Sequence, residues 1–297
     1  MILPSANELQ WARQRRATTR AAGGVLNLVL PLRVGGSGPP LFCAHPVVGL
    51  SWCYLALFPH IGQEHSVYGL QARGLRRPEP LPASMAELAR DYADQIRLTQ
   101  PVGPYHLLGW SLGGNTAFAI AAELERRGEQ VALLTIMDAS PTMPDSLSAA
   151  DGSAWILYNF VLAEFGYDPA LTETDPAPAA RTLELIRRKP GLGLQEWPEA
   201  RVLALLRVIR NNVAVTRGWR PERIQCPLLF CSATLSPPTL AAKLAAWRQF
   251  ADGPIETVEV DCHHRHMLLP GPVSAIGAAV TERLSRLAAL PADPVPA

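Results

Sequence analysis

The segment Tyr105-His106-Leu107-Leu108-Gly109-Trp110-Ser111-Leu112-Gly113-Gly114 restricts the fold of this chain more than any other. Its first four residues read as a short buried strand, and Thr116 to Arg127 reads as a helix. Between them, Gly109-Trp110-Ser111-Leu112-Gly113 fits the pattern G-x-S-x-G. A strand and a helix joined by so few residues must turn sharply, which strains the serine backbone and pushes its hydroxyl outward. Glycines two before and two after the serine let the two backbones approach where a Cβ would clash. The backbone N–H of Leu112 then lies at the turn, ready to receive a developing oxyanion. The same pentapeptide also occurs in ordinary tight turns, and its strand–turn–helix setting is what favours a reactive serine here.

Strands and helices alternate on either side of this turn. Val25 to Leu32 and Leu41 to Ala44 read as strands joined by the Gly35–Pro40 turn. Ser66 to Leu70 follows as a strand, Met85 to Gln100 as an amphipathic helix ended by Pro101, and Val131 to Met137 as a buried strand. From Ser140 to Gln225 only helices are expected, over Ala154 to Phe165, Arg181 to Arg188 and Glu199 to Gly218, with Pro-rich joints between them. Alternation resumes with strands Pro227 to Cys231 and Glu256 to Val260 and helices Leu240 to Phe250 and Val273 to Leu290. The pattern predicts an α/β class with a mainly parallel central sheet flanked by helices. It is similar to the α/β-hydrolase fold, in which a helical insertion between two strands forms a lid, here about residues 140–225. Residues 1–24 lack a sustained apolar face and read as a linker or domain edge, leaving 25–297 as a single domain.

Composition narrows the function classes. The 27 basic and 26 acidic residues nearly cancel, so no bulk field would draw the chain to nucleic acid. No apolar stretch is long enough to span a bilayer. Cys43, Cys53, Cys226, Cys231 and Cys262 form neither a CxxC pair nor a zinc-like spacing. Their odd number and the lack of a signal-peptide pattern point to a reducing cytoplasm.

A serine hydroxyl is a weak nucleophile near neutral pH. It needs a histidine to take its proton and a carboxylate to hold that histidine in the right tautomer. With the chain order serine, acid, histidine, three of the seven histidines qualify: His263, His264 and His266, all in the Asp261–Leu268 loop past the last expected strand. Adjacent histidines do not readily share one ion, and no nearby spacing completes four ligands, so the cluster reads as a source of base rather than a metal site. Of the two loops that usually supply the acid, the one after Leu228–Cys231 carries no carboxylate as far as Ser236. The other places Asp138 directly after the strand ending at Met137, although a turn or helix-cap aspartate would also fit before Ser140-Pro141. A second oxyanion donor is expected from the loop His45–Gly49, with Val47 N–H as the choice. His45 lies in the wrong chain order for the base and reads as structural.

With these residues in view, the chain resembles the thioesterase domains that end nonribosomal peptide synthetases, with polyketide synthase thioesterases as more distant kin. The likeness rests on Pro40–Pro46, on Gly103-Pro104-Tyr105 through Gly114, on Gly128–Ala132 and on Cys262–Leu268. It implies Ser111 as nucleophile, Asp138 as acid and oxyanion N–H groups from Val47 and Leu112. It also implies His264 as base, because the family's base lies three residues before a Met-Leu or Met-Met pair, here Met267-Leu268. The implied substrate is an acyl or peptidyl thioester on the phosphopantetheine arm of an upstream peptidyl carrier domain. No cofactor or metal would be bound directly, and neither a nucleic acid nor a membrane partner is expected. No Gly-Gly-x-Ser carrier signature occurs in the chain. The competing readings are a stand-alone serine esterase or lipase, a trans-acting editing (type II) thioesterase, and a non-catalytic module on the same scaffold.

Overall fold

The structure is a computed structural model and describes residues 26–141, 162, 178–188 and 197–289. Seven strands, β1 (Val29–Arg33), β2 (Gly38–Ala44), β3 (His65–Leu70), β4 (Tyr105–Trp110), β5 (Val131–Met137), β6 (Leu228–Ala233) and β7 (Ile255–Val260), form one sheet in the order β1-β3-β2-β4-β5-β6-β7. Only β1 runs antiparallel to its neighbour. The helices are α1 (Met85–Thr99), α2 (Leu112–Arg126), α3 (Pro178–Arg188), α4 (Glu199–Arg217), α5 (Leu240–Trp247) and α6 (Pro270–Ala289), with a 3-10 helix at Trp52–His60. This is the mostly parallel, helix-flanked sheet of the α/β-hydrolase type. None of the described helices is long and apolar enough to cross a membrane.

The period-2 alternation of the strands divides the interior into two cores. Leu41, Cys43, Leu108, Leu133, Leu229 and Cys231 face the 3-10 helix, α4 and α6. Their neighbours Phe42, Ala44, Leu107, Leu134, Leu228 and Phe230 face α1, α2 and Trp247 of α5. Because both faces are covered, the central strands read as unbroken apolar runs, as parallel strands do. Helix α1 follows from its sequence: Ser84 accepts a hydrogen bond from Glu87 N–H at 3.1 Å, and Met85, Leu88, Ala89, Tyr92, Ala93 and Ile96 make one buried stripe.

Several elements depart from the sequence expectations. Strand β2 begins at Gly38, inside the expected turn, because Gly38 N–H bonds Glu64 O at 2.8 Å and the strand pairs beside His65. Helix α2 begins at Leu112 rather than Thr116. Its glycines are weak helix formers, but a Cβ on Gly113 would sit 2.4 Å from Ala44 O, so close packing overrides propensity there. The 3-10 helix was not anticipated, since the run Trp52–His60 is too uniformly apolar to show a period. The expected helix Ala154–Phe165, Leu162 apart, and the expected linker 1–24 lie outside the described residues.

Two buried histidines shape the pH dependence of folding. Burial pulls His45 and His106 down to about 4, with a hydrogen bond to Pro46 O opposing the shift at His45 and His65 adding to it at His106. The unfolded chain titrates near 6.5, so between those values it binds more protons than the folded one and stability falls with falling pH. We expect denaturant-derived stability to drop by about 2 kcal/mol per histidine between pH 7.5 and pH 5. His106→Leu should flatten this dependence, and an unchanged slope in that variant would exclude His106 as a cause.

Candidate active site

The expected site residues all follow the carboxyl ends of strands. Pairing sets Ala44 beside Gly109, Trp110 beside Met137, Met137 beside Cys231 and Ala233 beside Val260. The loops carrying Val47, Ser111, Asp138 and His264 therefore leave one edge of the sheet, where open parallel sheets place their ligands.

Among the described residues, only two non-glycine residues have positive φ: Ser111 at 57° and Asp138 at 50°. A backbone of this kind costs on the order of 1–3 kcal/mol and persists only where its surroundings impose it. At Ser111, Ser111 N–H donates to Met137 O at 3.0 Å and Gly114 N–H donates to Ser111 O at 2.8 Å, which holds the turn. A Cβ on Gly109 would meet Gly113 O at 2.0 Å, so strand and helix fit together only through glycine.

Asp138 and His264 are brought into direct contact, with Nδ1 of the imidazole 2.8 Å from Oδ2 of the carboxylate. A carboxylate can only accept, so Nδ1 carries the proton and Nε2 of the neutral ring keeps its lone pair. Burial works against charge on Asp138, but hydrogen bonds from His264 and Lys243 outweigh it and hold the carboxyl below its ordinary value. His263 and His266 are exposed and face each other edge to face at 5.7 Å, so the cluster does not converge on a common point. Met267, fully buried, anchors the loop. No described hydrogen bond joins the Ser111 hydroxyl to His264. Trp110 links their neighbourhoods instead: its Nε1–H donates to His264 O at 3.2 Å and its ring lies 5.5 Å from the imidazole.

The loop after β2 comes within contact of the serine turn, since a Cβ on Gly113 would meet His45 O at 2.8 Å as well as Ala44 O. Pro46 O accepts from His45 Nδ1–H at 2.8 Å and from Gly49 N–H at 2.9 Å. That carbonyl belongs to the peptide whose other side is Val47 N–H, so both bonds fix the direction of the Val47 donor. His45 thus has the structural place expected of it. Val47 O in turn accepts from Asn212 Nδ2 of α4 at 2.9 Å.

A family model of the thioesterase domain matches residues 39–278 of this chain. The chain belongs to the thioesterase domain family. It is 39% identical over 88% of its length to a dimodular nonribosomal peptide synthase of Bacillus subtilis (strain 168), of which the match spans 11%. Among solved structures it is similar to a four-domain nonribosomal peptide synthetase bound to AMP and glycine, with TM-score 0.77, 22% identity, and coverage of 89% of this chain and 20% of that one. It is also similar to the Vlm2 thioesterase domain, with TM-score 0.66, 21% identity, and coverage of 86% and 96%. The chain therefore spans only about a tenth of the curated synthase it matches at 39% identity.

Two residues of this thioesterase domain were missed from the sequence. Lys243 on α5 places Nζ 2.6 Å from Asp138 Oδ1, with both side chains nearly fully buried. Tyr54 of the 3-10 helix, also fully buried, donates its hydroxyl to Ala44 O at 2.6 Å and accepts from Trp110 N–H at 2.9 Å. One oxygen thus bridges the carboxyl ends of β2 and β4, just below the serine turn. No sequence pattern marks either residue, because each reaches the site from an element distant in the chain. Tyr54→Phe removes both bonds and leaves two backbone groups without that partner. It should cost about 2 kcal/mol in denaturant unfolding, and a change under about 0.5 kcal/mol would show the bridge to be dispensable.

Proposed function

We propose that this chain is the chain-releasing thioesterase of a nonribosomal peptide synthetase, with Ser111 as nucleophile, His264 as general base and Asp138 as the acid that orients it. The observation that carries the reading is the convergence at one sheet edge of the two strained residues, Ser111 and Asp138, with the 2.8 Å contact from Asp138 to His264. The substrate is an acyl or peptidyl chain held as a thioester on the phosphopantetheine arm of an upstream carrier domain. Ser111 Oγ attacks the thioester carbonyl while His264 Nε2 takes the hydroxyl proton. The N–H groups of Leu112 and Val47 receive the tetrahedral oxyanion. As the C–S bond breaks, the imidazolium returns the proton to the leaving sulfur, giving a free pantetheine thiol and an acyl-serine ester. Water releases the chain as an acid, or a nucleophile within the chain releases it as a ring.

Residues 25–297 would form one domain, with 140–225 as its helical lid and 1–24 as a linker. All five cysteines are free, which fits a reducing cytoplasm. The stand-alone esterase and trans-acting readings are less well supported, because the matched relatives are long peptide synthetases.

Ser111→Ala should abolish both turnover of peptidyl pantetheine thioesters and covalent labelling by a fluorophosphonate. Retention of either would remove Ser111 from the mechanism. Asp138→Asn should lower kcat by about four orders of magnitude through loss of the tautomer, with the far-UV circular dichroism of the folded chain retained. Turnover near the wild-type level in that variant would place the acid elsewhere. Product mass separates the two fates of the acyl-enzyme, since a ring is lighter than the acid by one water.

A further inference from the structure

The acid–base pair has a third member that the scheme above does not use. We infer that Lys243 is a positioning residue for the reaction: it holds one oxygen of Asp138, offsets part of its charge, and so sets how strongly that carboxylate pulls on His264. This rests on the reading of Asp138 and His264 as acid and base.

The two oxygens of Asp138 have separate duties. Oδ1 accepts from Lys243 Nζ at 2.6 Å and from Ala233 N–H at 3.1 Å, which leaves Oδ2 to the imidazole. Lys243 Nζ also lies 3.1 Å from Ala233 O, 3.2 Å from Ser236 O and 3.2 Å from Ser232 Oγ. Ser236 reaches His264 by a second route, because its hydroxyl accepts from His264 N–H at 2.7 Å. The ammonium therefore fixes both the carboxylate that faces the ring and the turn that holds the ring's backbone. A compact ammonium with rotatable donors matches this ring of oxygens, whereas a guanidinium holds its donors in a rigid planar fork. The sequence has lysine only at 189 and 243 among its 27 basic residues, so the choice departs from the chain's own habit.

Stability alone is a weak reason for such a pair. A buried ion pair is often no better than apolar side chains of the same volume. Its charge, however, changes the balance at His264. With Lys243 present, Asp138 and a neutral imidazole sum to zero in the buried cluster. Without it the carboxylate stands alone, and a protonated imidazole would be needed to neutralise it. The remaining groups around the site are those of the loop after β7: Asp261, within 3.5 Å of Thr234 Oγ1, Cys262, and the exposed His263, Arg265 and His266. The β6 side contributes Cys231 and the hydroxyls of Ser232 and Ser236, and the β4 side contributes the uncharged ring of Trp110. Among the described residues, Lys243 alone puts a cationic side chain other than His264 itself within bonding distance of Asp138.

The test is the pH profile of kcat/KM on a pantetheine thioester, for Lys243→Met and for Lys243→Gln, which keeps a donor but not the charge. Fluorophosphonate labelling counts the folded active sites. Both variants should move the acidic limb to higher pH by about one unit. A limb that stays at the wild-type position while turnover falls would make Lys243 a structural residue and overturn the inference. Should neither variant fold, the His264 ring is followed by NMR in Asp138→Asn and in Asp138→Asn/Lys243→Met, which leaves no buried ammonium unpaired. The ring should titrate at higher pH in the double variant than in Asp138→Asn, and equal titration in the two overturns the inference. The triad reading fails separately, if Asp138→Asn turns over like the wild type.

Discussion

A carboxylate whose side chain is only 3% exposed stays ionised only if donors replace the water it has lost. At Asp138 those donors come from three places in the chain: Ala233 N–H at the end of β6, Lys243 on α5 and His264 past β7, at sequence separations of 95, 105 and 126 residues. The loop around the anion is secured as well. Asp138 N–H donates to Cys231 O, Ala139 O accepts from Trp247 Nε1–H at 2.9 Å, and Ser140 O accepts from Asn115 Nδ2 at 2.7 Å. The buried charge thus ties the second half of the sheet to α5, and the loop that carries it is tied to α2. Removing it would leave a buried ammonium uncompensated, which costs more than the loss of an ordinary surface pair.

The other half of the site depends on close approach. Gly109 and Gly113 let β4, α2 and the end of β2 come within a distance that any Cβ would forbid, and the Tyr54 hydroxyl supplies the hydrogen bonds that the abrupt turn would otherwise leave open. The strain at Ser111 and Asp138 persists because the sheet is packed on both faces. Neither residue can relax without moving a strand whose side chains belong to both cores.

How much of this was legible depends on whether the signal was local. The expected strand Val131–Met137 matches to the residue, and Ser111 and Asp138 stand out as candidates in the sequence because each directly follows an apolar strand. Of the boundaries that drifted, those at Gly38 and Leu112 lie where a tertiary contact decides and the local residues are glycines. The expected base is narrowed by sequence position only to a loop of three histidines, and family likeness points to His264. Of the three, His264 is the one whose imidazole meets Asp138, while His263 and His266 are exposed. Lys243 and Tyr54 were invisible for the opposite reason. A lone lysine in a short helix reads as surface, and tyrosine in an apolar run reads as core. Only the partner at long range reveals what each does.

The helical segment between β5 and β6 is joined to the site more firmly than a cover need be. Besides the bond from Asn212 to Val47 O, α4 sends Arg207 to Glu79 O at 2.6 Å and Asn211 to Pro82 O at 3.0 Å. Val208 packs so closely on Gly49 that a Cβ there would sit 2.6 Å from its methyl group. Trp197, just before α4, meets Trp52 of the 3-10 helix edge to face at 5.9 Å. Gly49 also supplies one of the two donors that hold the peptide plane of Val47. A displacement of α4 would therefore disturb the carbonyl of Val47 and the turn that aims its N–H. Helix α4 and the loop after β2 are thus parts of one packed unit, so a change of shape in the first is felt by the second.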